Sequence, residues 1–265
     1  YRIREQMPAV SFGPNNYPTC LYNGMIAPLK RLPIKGIIWY QGESNASRAY
    51  EYRDLFKRFI LDMRQQFAID DLPFIYVQLA NFTPQDSIPI ESQWAELREA
   101  QSVALSLPNT SMITCIDLGD ANNIHPSNKN EVGRRLALAA LEDVYHQKTF
   151  YKSPSLKSFE FENYYCKICF ENVGDGLVAD DKFGYIYGFT IAGDDHKFEW
   201  AKAELINSNC VKVWSSKIEN PKSVRYAWQN NPDPANLFNS KGFPCLPFRT
   251  DSWDISTQNL KRYND

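Results

Sequence analysis

The chain has 265 residues, a formal net charge of −2 and 43% hydrophobic residues, six tryptophans among them. That is enough apolar material for a sizeable core in one large domain or two. The near-neutral balance excludes the basic footprint of a nucleic-acid binder and electrostatic attachment to a membrane, and no apolar run reaches the ~18 residues that a spanning helix needs.

The opening residues, Tyr1-Arg2-Ile3-Arg4-Glu5-Gln6, contain neither an initiator methionine nor the pattern of a signal peptide, and the chain reads as a fragment or a processed product. Residues 1–33 are rich in proline and asparagine and read as irregular, with a short helix near 23–29. Residues 34–41 form an apolar run of strand length that stops abruptly at Gln41-Gly42-Glu43-Ser44-Asn45. A helical pattern follows over 47–67, with Tyr52, Leu55, Phe56, Phe59, Ile60, Met63 and Phe67 at three- and four-residue spacing. Strand, polar turn and helix make the βα unit of a parallel sheet, and ligand sites in such sheets lie beyond the carboxyl ends of the strands. A second strand, 73–80, also ends in a polar residue, Asn81. A helix from about 92 to 107 carries Trp94, Leu97, Gln101 and Ala104 on one face, with Arg98 one turn from Trp94. A third strand, 111–118, leads through a loop to a helix over 129–146, where Asn128 and Glu131 stand as N-cap and N3. Alternating strands and helices predict a parallel sheet covered on both faces. Three strands are few for such a layer, so more are expected from elsewhere.

The pattern changes near 150. Short aromatic and β-branched runs at 158–170, 183–192, 197–214 and 222–228 alternate with turn residues such as Asn172-Val173-Gly174-Asp175-Gly176, predicting antiparallel β structure. Cys166 and Cys169 have C-x-x-C spacing, but residues i and i+3 of a strand face opposite ways and no second pair completes a zinc site, so structural cysteines are expected. Of the three histidines, His146 follows a helix and His196 sits in a Gly-Asp-Asp-His turn. His125 lies in the loop after the third strand, on the same rim as residues 41–45 and Asn81, and is the candidate acid/base.

Trp39-Tyr40-Gln41-Gly42-Glu43-Ser44-Asn45 resembles the third signature block of the sialate O-acetylesterase family, a branch of the SGNH hydrolases. Leu21 to Leu29, Val77 to Phe82, Leu97 to Gln101, Ile124-His125-Pro126 with Val132 to Leu136, Val224 to Trp228 and Pro247 to Asp251 read the same way, in the right order, over about 18–253. The resemblance implies a carbohydrate O-acetylesterase with a flavodoxin-like αβα domain. Residues 1–149 would form its C-terminal part and 150–265 an antiparallel β domain packed on it. It implies His125 as general base and Gln41, Gly42 and Asn45 as catalytic residues that donate to the oxyanion or hold the strand end. Glu43, Asn81 and Arg98 are expected to contact substrate. The implied partner is an O-acetylated sugar or glycan, with no cofactor, metal, nucleic acid or membrane, in a secreted or periplasmic protein.

Two features depart from the family pattern. The positions where an acid often precedes the histidine hold Asn122 and Asn123, which can fix an imidazole tautomer but cannot stabilise imidazolium as a carboxylate does. Asn122, Asn123, a backbone carbonyl, Asp117 or Asp120 is left to orient it, and both a dyad and a triad remain open. The first block, a Gly-x-Ser-Asn-type turn after an early strand, is absent, and Ser44 belongs to the third block. The nucleophilic serine is therefore expected from an N-terminal segment upstream of residue 1, and the chain alone is expected to be inactive. A non-catalytic glycan-binding or scaffolding module is the alternative.

Overall fold

The computed structural model describes Gly13, Tyr17 and residues 19–258. A π-helical turn, Tyr22–Ile26, and a 3-10 turn, Ala27–Leu29, stand where a short helix is expected. Three strands follow: β1 (Ile37–Trp39), β2 (Phe74–Gln78) and β3 (Thr110–Thr114). They lie side by side in that order and all run parallel.

β2 is buried on both faces, and its side chains alternate between two clusters. Phe74 and Tyr76 join residues of α1 (Ala49–Phe67) and α2 (Gln93–Ser102), whereas Ile75 and Val77 join residues of α3 (Lys129–Asp143). β1 differs. Its Ile38 is 58% exposed, and β2 is its one strand neighbour among the described residues. Cover on both faces, expected for the whole sheet, extends to β2 and β3 but not to β1.

The helices begin where their caps stand. The Ser92 hydroxyl accepts from the Ala95 amide, and the Asn128 side chain accepts from the Glu131 amide. α2 stops at Ser102 and a 3-10 turn, Val103–Ser106, completes the expected span. On α1, Tyr52, Phe56, Ile60 and Met63 are buried, but Leu55 is 56% exposed. At 3.6 residues per turn Leu55 falls on the flank of the stripe rather than at its centre.

Beyond Pro154 every strand pairing among the described residues is antiparallel. One sheet has the order β4 (Ser155–Glu162), β5 (Tyr165–Glu171), β10 (Cys210–Trp214), β9 (Lys202–Asn207). The second has the order β13 (Phe248–Arg249), β11 (Ser223–Tyr226), β7 (Phe189–Ala192), β8 (Glu199–Trp200). Their inner faces share one cluster, with Ile168, Phe170, Val211 and Val213 against Phe189, Ile191, Val224, Tyr226 and Phe248. A small ribbon, β6 (Leu177–Ala179) with β12 (Leu237–Asn239), flanks them. The C-x-x-C pair is divided: Cys166 is buried in that cluster, while Cys169 is disulfide-bonded to Cys210, its direct partner across β5 and β10.

The parallel and antiparallel parts are tied by polar side chains. Arg225 and Arg249 share Asp251; Arg249 also pairs with Glu99 of α2, which in turn pairs with Arg53 of α1. Glu96, fully buried on α2, accepts from the backbone amides and hydroxyls of Ser256 and Thr257, so the chain after β13 returns to the helices.

Candidate active site

The rim is assembled from the carboxyl ends of the three parallel strands. After Trp39 the chain turns through Tyr40, Gln41 and Gly42 into a 3-10 helix, Glu43–Arg48. Gly42 has φ 155°, and a Cβ there would stand 3.3 Å from Gln101 Nε2 and 3.6 Å from the Tyr52 hydroxyl. The positive φ favours glycine here, and a side chain would also press on the Gln101 carboxamide. Those two neighbours hold the turn. The Tyr52 hydroxyl lies 3.4 Å from the Gln41 carbonyl oxygen and 3.3 Å from its Oε1, and Gln101 Nε2 donates to the same carbonyl at 3.4 Å and to Val77 O at 3.2 Å. Gln101 Oε1 accepts from the Leu79 amide. One buried carboxamide thus ties the end of β2 to the turn after β1. With Gln41 Oε1 facing the Tyr52 hydroxyl, the Gln41 amino group is left as the donor. The Asn45 amide closes the turn onto Gly42 O at 2.8 Å.

At the end of β2, Asn81 is buried and its side chain is committed on both sides. Nδ2 donates to Asn231 Oδ1 at 2.9 Å, and Oδ1 accepts from the Gly119 amide at 2.6 Å. A Cβ on Gly119 would come within 1.9 Å of Asn81 O, so only glycine admits this approach of the loop after β3. Arg98 is fully buried. Its guanidinium donates to four carbonyls: Leu79 and Ala80 beyond β2, and Gln229 and Asn230 beyond β11. Burial lowers its pKa to about 9, which leaves it cationic at neutral pH. Arg98 and Asn81, both expected at a substrate, are instead internal ties. Four carbonyl acceptors consume the cation, and two partners consume the amide.

The loop that carries His125 is built from Asx turns. Asp120 bridges to Phe82, its Oδ1 accepts from the Asn122 amide at 2.7 Å, and Asn123 Oδ1 accepts from the His125 amide at 2.9 Å. Ile124 packs on the same cluster as Trp39 and Tyr40, and Lys129 Nζ lies 5.3 Å from the centre of the Tyr40 ring. The loop therefore borders the residue immediately before Gln41, at the same end of the sheet. The imidazole itself is exposed, and among the described residues it has no hydrogen-bond partner. Asp117 does not orient it, because both its oxygens bind Arg135, each at 2.7 Å. Asn123 serves the backbone of His125 and not its ring. His146 and His196 are exposed elsewhere, the latter stacked on Trp253 at 3.7 Å.

Glu43 adds negative charge beside the turn, and burial followed by this carboxylate raises the Tyr52 pKa far above the ordinary tyrosine value. Tyr40 is raised in the same sense, chiefly by burial. Both hydroxyls therefore remain protonated donors. Cys115, just past β3, is pushed up to about 12 by burial and is no thiolate at neutral pH. Tyr52 and Gln101 are the residues that a reading for chemistry missed, since both fall in helical core stripes. Their polar ends within those stripes were the available signal.

A family model described as carbohydrate esterase, sialic acid-specific acetylesterase, matches residues 10–142. Sialate O-acetylesterase of Homo sapiens is 33% identical over 270 residues, covering 89% of this chain and 49% of that protein. Its Mus musculus counterpart is 28% identical over 262 residues, covering 89% and 48%. A crystal structure of a carbohydrate acetylesterase from Xanthomonas citri superposes with a TM-score of 0.83 at 43% identity, covering 90% of this chain and 55% of that one. The chain spans about half the length of the curated relatives it matches. With a family model matched over half of its length, the chain belongs to the sialic acid-specific acetylesterase family of carbohydrate esterases.

Proposed function

We propose that the chain is the His125-bearing part of a carbohydrate O-acetylesterase, a carboxylic ester hydrolase acting on O-acetylated sugars, with sialic acid as one candidate substrate. The observation that carries this reading is the shared rim: the clamped Gln41–Gly42 turn and the His125 loop stand at one end of one parallel sheet. Residues 1–149 would belong to a three-layer SGNH domain, with 150–265 as an antiparallel β domain packed on it. A serine outside this sequence would supply the nucleophile. Its Oγ attacks the acetyl carbonyl while His125 takes its proton. The Gln41 amino group and the Gly42 amide face the negative charge that develops on the carbonyl oxygen. The sugar oxygen then leaves with the proton from His125. Water, activated by the same histidine, hydrolyses the acetyl-serine to acetate and returns the serine. Asn45 holds the turn, and Glu43 would accept from a sugar hydroxyl. The Cys169–Cys210 disulfide supports a secreted or periplasmic location, because such bonds persist in oxidising compartments.

The test is the hydrolysis of p-nitrophenyl acetate and acetylated sugar by this chain and by the full-length protein. The chain alone is expected to stay at background, since loss of one member of such a unit costs ~10⁴-fold or more. In the full-length protein His125→Ala should abolish turnover, and His146→Ala and His196→Ala should not. Full activity of His125→Ala would reject the base. Turnover by the isolated chain that disappears in Ser44→Ala would move the nucleophile to Ser44.

A further inference from the structure

The segment that enters β7 presents a row of aromatic rings to solvent. Phe183, Tyr185 and Tyr187 are 75%, 61% and 45% exposed. The chain turns at Gly184, with φ 75°, between the first two rings, and the rings follow one another at centroid distances of 6.3 and 6.4 Å. Ile186, between the last two, is buried in the core between the sheets and anchors the backbone. The row is also held by hydrogen bonds. Asp181 Oδ1 accepts from the Phe183 and Tyr185 amides, and Asn236 takes the Tyr185 carbonyl and the Tyr187 amide. Three large rings are thus displayed on a fixed backbone, where their ordering costs little on binding.

Tyr187 continues the row into a cavity of about 300 Å³ at the end of β3. Asp117, Asp180 and Asp233 line it, with no lysine or arginine among its described lining residues. Asp117 is paired with Arg135, whereas Asp180 and Asp233 have no ion pair among the described residues. The rings, spaced on the scale of one sugar and tilted 54° and 49° to one another, offer successive faces to the C–H faces of an oligosaccharide that turns along them, with Lys182 Nζ 5.5 Å from the centre of the Phe183 ring. Asp117 is held by Arg135 and Asp233 accepts from Gln85, which leaves the Asp180 carboxylate to accept from sugar hydroxyls. An anionic sugar would meet like charge at the cavity.

We propose that Phe183, Tyr185 and Tyr187, with the adjoining carboxylate-lined cavity, form a binding platform for a neutral oligosaccharide chain. The platform does not depend on which residue is the nucleophile, and an unacetylated sugar tests it apart from the esterase reading.

Cellohexaose, xylohexaose and mannohexaose are titrated into the full-length protein by calorimetry, with sialyllactose as the anionic probe. At least one neutral hexasaccharide should bind. Phe183→Ala and Tyr185→Ala should each weaken it about tenfold, and Tyr185→Trp should retain it. Tyr164→Ala, an exposed tyrosine at the β4–β5 hairpin, should change nothing. Thermal melts check that the variants are folded, and hydroxyl-radical footprinting reads whether the rings stay open in the full-length protein. The platform is rejected if no neutral probe binds, if the alanine variants bind as tightly as the parent, or if Tyr164→Ala costs as much. Tighter binding of sialyllactose that Tyr185→Ala removes, or protection of Tyr185 and Tyr187 before sugar is added, rejects it equally.

Discussion

At the scale of single residues, the rim depends on groups that never face solvent. Tyr52 holds both oxygens of Gln41, so Tyr52→Phe in the full-length protein should lower kcat about tenfold with little change in KM, less than loss of an oxyanion donor itself would cost. Steady-state kinetics on p-nitrophenyl acetate checks this; a changed KM with an intact kcat would place Tyr52 outside the oriented turn. Gly119→Ala drives a methyl group into Asn81 O and should cost about 3 kcal/mol in urea unfolding, the upper end of overpacking penalties. Gln41, Gly42 and the loop position of His125 were legible in sequence because polar residues ending an apolar run mark a strand end. The burial of Arg98 was not. An arginine one turn from a tryptophan reads alike whether its partners are solvent, substrate or four carbonyls, and those carbonyls come from residues more than a hundred positions apart.

At the scale of elements, the periodic stretches gave strands and helices at nearly the right places, since burial on two faces and caps at Ser92 and Asn128 are local features. Pairing was less accessible. Nothing local marks Cys210 as the partner of Cys169, because the two meet only through the register of β5 and β10. Replacing both by serine should lower stability by about 2–4 kcal/mol, read by urea unfolding under oxidising conditions. Arg98→Met should cost more than about 3 kcal/mol by stranding four buried carbonyls, and Arg98→Lys should rescue little, since one ammonium cannot span a fork of acceptors. The β11–β13 pair carries a pH dependence. Despite burial, hydrogen bonds from Arg225 and Ser223 hold Asp251 below the usual carboxylate range. The stability this adds is present above the ordinary aspartate pKa and is lost as pH falls through the lowered value. Asp251→Asn should therefore flatten the acid limb of the stability profile, measured by melts between pH 2 and pH 6.

At the scale of the whole molecule, the parallel and antiparallel parts share enough buried polar ties, through Arg98, Asn81, Glu96 and Glu99, that they should unfold together. Far-ultraviolet circular dichroism and tryptophan fluorescence should trace one coincident urea transition, and separated midpoints would show independent units. Glu96→Ala should release the chain around Ser256 and Thr257 and speed its hydrogen exchange. One last consequence follows from β1. Among the described residues its outer edge has no strand partner, beside the exposed side chain of Ile38. No charged residue or proline interrupts Ile37-Ile38-Trp39 to blunt that edge. Such a strand is a template for another copy of itself, so the isolated chain should self-associate as its concentration rises, and Ile38→Lys should keep it monodisperse in light scattering.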